Sequence, residues 1–290
     1  MLALLVKPAA MRRKKNRALI ANLINDGATL ISAHKPDTIR SQLLELLDSQ
    51  SSLTAVACGG DGTVNLLLNS VIDLPIRLAV IPMGTGNDFA RHIGVKNPKI
   101  AIEVLRDNQV IAMDVGQITF PQEPPKYFAA VASCGFDAQV NERANKLSGP
   151  DGPIKYLASV FGELKNLSSV WLDLKFNETE LNGRFTLVAI GNTSSYGGGM
   201  KITPSADLRD GLFSLTIVNK ADRRTLVKVL PTVFTGRHVF HPKVSVDQTD
   251  QIEISGEPFP IYADGERMGN GPAKFKVLPG CVQLLSPISK

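Results

Sequence analysis

Five residues, Gly59-Gly60-Asp61-Gly62-Thr63, stand between an apolar run at Thr54–Cys58 and a helix-like run at Val64–Ile72. Glycines there let the backbone take positive φ and let a ligand lie against the main chain. The helix that follows would offer unpaired N–H groups and the positive end of its dipole, which together suit a phosphate. Thr63 adds a hydroxyl, and Asp61 adds a carboxylate that a phosphate loop does not obviously need. Alone, the five residues also fit a strand–helix turn with packing glycines and a capping aspartate. They do not form a Walker A loop, since GxxxxGK[ST] occurs nowhere in the chain, and they lack the dinucleotide GxGxxG spacing.

A second junction of the same kind follows. Arg77–Ile81 reads as a strand, Gly84-Thr85-Gly86 as a turn, and Asn87-Asp88 as the opening of a short helix to Ile93. Phe89 stands where a third glycine would complete a dinucleotide fingerprint. Two strand–glycine–helix junctions on adjacent strands would place both loops at one edge of a sheet, where α/β proteins bind ligands. Asp61 and Asp88 could then hold Mg²⁺ through water. Backbone N–H groups and a metal would do the work that a P-loop gives to lysine.

The elements needed to position these loops are legible. Leu2–Val6 reads as a buried strand, Arg17–Ile24 as a helix and Thr29–Ala33 as a strand. Asp37 can cap a helix through Leu47 with Leu43, Leu44 and Leu47 on one face. A further helix covers Ile100–Arg106. Short apolar strands alternating with helices imply a parallel sheet covered on both faces. Beyond Val110 the pattern becomes strand-rich and often alternating, with runs such as VIAMDVGQITF, KYFAAVASC, VWLDLKF, RFTLVAIGN, LFSLTIV and FPIYAD. Helix-like segments interrupt them at roughly 138–148, 154–168 and 221–236. KFKVL and VQLLS read as closing strands. The fold class is α/β plus β-rich: a Rossmann-like parallel domain over 1–113, completed by 282–290, and a β-sandwich domain over 114–281.

Composition bounds the function. The 290 residues are 43% hydrophobic and 20% charged, with a net charge of +5. That predicts a sizeable core and suits anionic partners. No run approaches the roughly 18 apolar residues of a spanning helix. The N-terminal run is short and has no basic segment before it, so it does not read as a secretory signal. Cys58, Cys134 and Cys281 show no CxxC or metal spacing, and a reducing cytoplasm is the simplest setting. His34, His92, His238 and His241 have no ligand spacing. Ser194-Ser195-Tyr196 before Gly197-Gly198-Gly199 reads as a mobile loop.

GGDGTVNLLLNSVI followed by LAVIPMGTGNDFARHIG resembles the catalytic signature of the diacylglycerol kinase family. GGDGT alone is shared with NAD kinases, whereas PMGTGNDFAR narrows the likeness to the lipid kinases. MDVGQITF…KYFAAVASCGFDAQV, ITPSADLRDGLFSLTIV and IYADGERM are similar to later phrases of the family, in order along nearly the whole chain.

The resemblance implies that Gly59, Gly60, Asp61, Gly62 and Thr63 hold ATP phosphates, with Asn65 behind them and Gly84 and Thr85 at the nucleotide. Asp61 and Asp88 belong to its Mg²⁺-associated network. Glu266 of Asp264-Gly265-Glu266 corresponds to the general base, although the same residues read as a hairpin turn. Asp210, with the carbonyls of Asp207 and Leu212, matches a structural Mg²⁺ site, although Asp210-Gly211 also reads as a turn. The implied activity is ATP-dependent phosphorylation of diacylglycerol to phosphatidic acid, in a cleft between the domains, by a cytoplasmic protein in peripheral contact with a membrane. A homodimer stays open. Alternatives are another lipid alcohol as acceptor, or a nucleotide-binding regulator without turnover. Nucleic acid is not expected as a partner, because the basic run Arg12–Arg17 has no interleaved aromatics. That run could meet phosphates or an anionic membrane, or be a solvated helix start. The chain departs from the family where Lys7 replaces an asparagine, and where Ser32, Ala33 and His34 replace a threonine contact.

Overall fold

The computed structural model describes residues 1–50, 52–136 and 167–287, with the single positions 138, 140, 159 and 162. The expected helices at 138–148 and 154–168 fall almost wholly outside the described residues. The chain divides into two compact units, Met1–Met113 with Pro279–Lys290, and Asp114–Leu278. It passes from one to the other inside two long strands, β5 (Val110–Thr119) and β15 (Ala273–Leu285).

The first unit is a parallel sheet ordered β2 (Thr29–Ile31), β1 (Leu2–Val6), β3 (Thr54–Gly59), β4 (Arg77–Pro82) and the end of β15. Every residue of β3 is buried, which is why its sequence reads as a continuous apolar run rather than an alternation. Helices α1 (Lys14–Asn25), α2 (Pro36–Asp48), α3 (Asp61–Val71), α4 (Asp88–His92) and α5 (Pro98–Asp107) connect the strands. Helix α3 turns Val64, Leu67, Leu68 and Val71 into the core, the i, i+3, i+4, i+7 spacing of one helical face.

Helix α2 differs from expectation in two ways. Pro36 takes its first position after Lys35, so Asp37 lies inside the first turn and is not the cap. A proline needs no N–H partner there and pre-sets φ. The buried pair is Ile39 and Leu43, while Leu44 is 39% exposed.

The second unit is antiparallel, ordered β14 (Glu266–Asn270), β13 (Pro260–Ala263), β7 (Val131–Gly135), β9 (Thr179–Gly191), β8 (Val170–Phe176), β12 (Gln251–Gly256) and β15. Strand β10 (Phe213–Asn219) pairs with β9 and with β11 (Val244–Thr249), and β6 (Lys126–Phe128) pairs with β5. Its core carries Phe128, Phe213, Phe259 and Phe275, and the rings of Phe128 and Phe213 stack with centroids 5.6 Å apart. The chain also forms α6 (Arg223–Val233) and a 3-10 turn at Arg237–Phe240. KFKVL and VQLLS prove to be one strand, β15. KYFAAVASC is two strands, broken where the N–H groups of Ala129 and Ala130 leave the ladder for the Asp264 carboxylate.

Candidate active site

The two glycine junctions lie side by side because β3 and β4 pair in parallel, with Gly59 opposite Pro82. Helix α3 begins at Asp61, three residues earlier than the apolar periodicity suggests, so Gly62 and Thr63 belong to its first turn. The Gly60 carbonyl accepts the N–H groups of Thr63 and Val64, at 2.9 and 3.2 Å. Thr63 is buried, and its side chain lies over the α-carbon of Gly59. Asn65 is buried one turn inward and its side-chain oxygen accepts the Asn69 amide at 3.3 Å. Thr85, by contrast, is exposed at the tip of the second loop.

The loops interlock. The N–H groups of Met83 and Gly84 both donate to the Gly59 carbonyl, at 2.9 and 3.1 Å. A β-carbon on Gly84 would stand 2.6 Å from the Gly60 α-carbon, so position 84 has no room for a side chain, while one on Gly60 would meet the Gly84 α-carbon at 3.3 Å. Asn87 takes a left-handed φ of 54°. Its side chain holds that turn by accepting from the Gly84 N–H and donating to the Gly84 carbonyl, both at 3.0 Å.

Asp61 joins the two loops covalently distant in sequence. Its Oδ1 accepts the Phe89 N–H at 3.0 Å, which satisfies a donor in the first turn of α4. Asp88, 3% exposed, accepts from Arg91 Nη1 at 2.6 Å, and Arg91 Nη2 donates to the Gly86 carbonyl at 2.5 Å. The second oxygens of both acids turn to one place: a β-carbon on Gly86 would lie 3.0 Å from Asp61 Oδ2 and 3.5 Å from Asp88 Oδ2. Burial, then the charge of Asp88, hold the Asp61 carboxyl above its usual range, against the amide hydrogen bonds that lower it. A small space between two carboxylate oxygens, one of them reluctant to ionise, fits a hard cation. Among the described residues no three His, Cys, Asp or Glu side chains gather closely enough to hold a metal alone. A cation there would need further oxygen ligands, as Mg²⁺ takes from phosphates and water.

At the start of β1's exit, Lys7 is exposed and its N–H donates to the Cys58 carbonyl at 3.2 Å, which sets it beside the first glycine loop.

Within the second unit, Asp210 and Asp207 are exposed in the turn before β10. Asp210 Oδ1 accepts the Leu212 N–H at 3.0 Å, and Asp207 pairs with Arg209 at 3.4 Å. Partial burial, and then the charges of Asp207 and Asp114, raise the Asp210 pKa. Asp114 went unnoticed in the sequence, where it is one acid within the apolar run of β5. It is 2% exposed, and its Oδ2 accepts the Gly211 N–H at 2.7 Å. Its own N–H donates to the Leu208 carbonyl at 2.8 Å. The neighbouring charges of Asp207 and Asp114 that raise the Asp210 pKa are ones a divalent cation would offset.

Asp264 and Gly265 form the two-residue turn between β13 and β14, with φ of 53° and 83°. Positive φ at both positions is the signature of a type I′ hairpin. The Asp264 carboxylate accepts the N–H groups of Ala129 and Ala130, at 2.8 and 2.9 Å. Glu266 opens β14 and is exposed. A tight turn projects its first strand residue away from the core. The Ser194–Gly199 segment, read from the sequence as a mobile loop, is tied across its glycines. Tyr196 and Met200 exchange backbone hydrogen bonds of 3.1 and 3.0 Å across it.

Comparison with known proteins places the chain in a family. Residues 2–118 match the family model of the diacylglycerol kinase catalytic domain, and residues 130–286 match the YegS C-terminal NAD kinase beta sandwich-like domain. A diacylglycerol kinase of Mycobacterium tuberculosis is 34% identical over 278 residues, covering 94% of this chain and 90% of that protein. One from Staphylococcus epidermidis is 33% identical over 246 residues, covering 83% and 76%. Among solved structures, a diacylglycerol kinase from Bacillus anthracis superposes with a TM-score of 0.72 at 17% identity, covering 98% of this chain and 96% of the other. An NAD kinase from Archaeoglobus fulgidus in complex with ATP superposes with a TM-score of 0.52 at 13% identity, covering 98% and 93%. The chain belongs to the diacylglycerol kinase family and is a kinase with an alcohol acceptor.

Proposed function

We propose that this chain transfers the γ-phosphoryl group of ATP to the free hydroxyl of a diacylglycerol, giving phosphatidic acid and ADP. The observation that carries the reading is the interlock of Gly60 and Gly84, which sets two helix starts against one another above two facing carboxylates. The relatives named as diacylglycerol kinases support that acceptor, and membership of a kinase family supports ATP as the donor.

The residues divide the work. Gly59, Gly60 and Gly62 line the phosphates at the positive end of the α3 dipole, and Thr63 and Asn65 support them from behind. Gly84 and Thr85 complete the cradle from the second loop. Asp61 and Asp88 would hold Mg²⁺, which supplies charge neutralisation on the phosphate oxygens. Glu266 accepts the proton of the lipid hydroxyl as its oxygen bonds to the γ-phosphorus and the bond to the β,γ-bridging oxygen breaks. Asp210, with the carbonyls of Asp207 and Leu212, would hold a second, structural Mg²⁺.

The acceptor lies in a bilayer, and no helix among the described residues is long and apolar enough to cross one. The protein reaches its substrate from the cytoplasm by peripheral contact. Purified protein with γ-labelled ATP, Mg²⁺ and dispersed diacylglycerol should yield labelled phosphatidic acid. Labelling of a sphingoid base or ceramide in place of diacylglycerol moves the acceptor. ATP binding with no labelled lipid overturns the reading.

A further inference from the structure

Helix α6 carries two apolar stripes. Leu226, Leu230 and Val233 form the inner one, with Leu226 and Leu230 packed against Phe136 and Val140. Val227, Pro231 and Phe234 repeat the same i, i+4, i+7 spacing one residue on, and all three are exposed. Val227 is 47% and Phe234 40% exposed. A helix that only covered a core would put polar side chains there. The 3-10 turn that packs on α6 ends in Phe240, at 84% the most exposed large apolar side chain described.

Charge follows the same surface. Between positions 220 and 243 the chain has Lys220, Arg223, Arg224, Lys228, Arg237 and Lys243 against one acid, Asp222. That acid is spent as the α6 cap, accepting the Thr225 N–H at 3.0 Å. Arg223, Arg224, Lys228 and Arg237 are exposed and enter no ion pair among the described residues. On a helix of about 3.6 residues per turn, Arg223 falls on one side of the outer apolar stripe, and Arg224 and Lys228 on the other.

We propose that the outer face of α6 and the turn ending in Phe240 form the surface by which this protein rests on an anionic bilayer. Phe240, Phe234 and Val227 enter the headgroup boundary, and the flanking cations meet lipid phosphates. Apolar side chains with no core to enter, ringed by one sign of charge, are the composition of an interfacial helix. The choice of a bilayer as occupant rests on the lipid-kinase reading above. The surface itself is distinct from every residue assigned there to phosphate, proton or metal.

Vesicle binding is measured with neither nucleotide nor diacylglycerol present, so it is read separately from turnover. The intact chain should sediment with vesicles of equal phosphatidylglycerol and phosphatidylcholine. It should not sediment with phosphatidylcholine alone, and rising salt should release it. Phe234→Ser with Phe240→Ser, and separately Arg224→Glu with Lys228→Glu, should each weaken that binding about tenfold or more. Both variants should keep the circular dichroism of the parent and its rate on a short-chain diacylglycerol dispersed in detergent. Unchanged vesicle binding in both variants overturns the proposal. So does a parent dimer that becomes a monomer in them, which would give the face to a second copy of this chain.

Discussion

The α-carbons of Gly60 and Gly84 face each other so closely that a β-carbon on residue 84 would stand 2.6 Å from Gly60 Cα and 2.9 Å from Gly60 N. Neither contact is with a side chain that could swing aside. The two loops therefore pack as one object, at a spacing that the absence of a methyl group on residue 84 permits.

Gly84→Ala should force the loops apart. Overpacking of this kind costs about 1–3 kcal/mol, so the melting temperature should fall by several degrees. Nucleotide binding should fall further than the stability loss explains, because the cradle needs both loops at their native separation. Calorimetric titration of ATP into the variant and the parent checks this. Equal affinity would show that the loops do not act together.

Much of this site is written locally. Strand, glycines and helix follow one another directly at each junction, over Thr54–Val71 and Arg77–His92, and a parallel pairing of β3 and β4 is enough to bring them together. What the chain does not write locally are the contacts that finish the site. The Asp61 bond to the Phe89 N–H spans 28 positions, and the Asp264 bond to Ala129 spans 135. Asp114 has no neighbour in sequence to mark it, and only folding brings Gly211 to its carboxylate. The helix start at Asp61 was missed for a related reason, since glycine and threonine lower helix propensity while the tertiary site requires a helix there.

Asp61→Asn separates structure from chemistry. Asparagine keeps an acceptor for the Phe89 N–H and removes the charge that Asp88 opposes. The folded-state pKa of Asp61 is raised above 3.8. The native protein thus binds that proton more tightly than the unfolded chain, and stability falls as pH rises from 3.8 through the raised value. The variant lacks that slope. Urea unfolding should find it level with the parent near pH 3.5 and more stable at pH 7.5, with turnover down about a hundredfold or more. A variant less stable at pH 7.5 would mean that the carboxylate is needed for folding.

Asp210 offers a metal test that does not depend on turnover. Its pKa is raised by burial and by Asp207 and Asp114, so bound Mg²⁺ should remove a repulsion that the folded protein otherwise carries. Millimolar Mg²⁺ should raise the melting temperature of the parent in the absence of ATP, by the linkage of ligand to the native state. Asp210→Asn should melt higher than the parent without Mg²⁺ and gain less when it is added. An equal Mg²⁺ increment in both proteins would remove Asp210 from the ligand set.

The hairpin at Asp264-Gly265-Glu266 should split into two phenotypes one peptide apart. Asp264 is structural: it accepts two backbone N–H groups and holds φ at 53°, where few side chains are comfortable. Asp264→Ala strands both donors and should cost about 2–4 kcal/mol. Gly265 also has a positive φ, although a β-carbon there would touch nothing within 4 Å, so Gly265→Ala should lose stability through backbone strain alone, about 1 kcal/mol. Glu266 is exposed and accepts nothing from the hairpin, so Glu266→Gln should unfold within about 0.5 kcal/mol of the parent. If its carboxylate takes the lipid hydroxyl's proton, turnover should fall about 10²–10⁴-fold with little change in ATP affinity. Retained turnover in Glu266→Gln, at unchanged stability, would leave the hairpin as a turn and send the search for the base elsewhere.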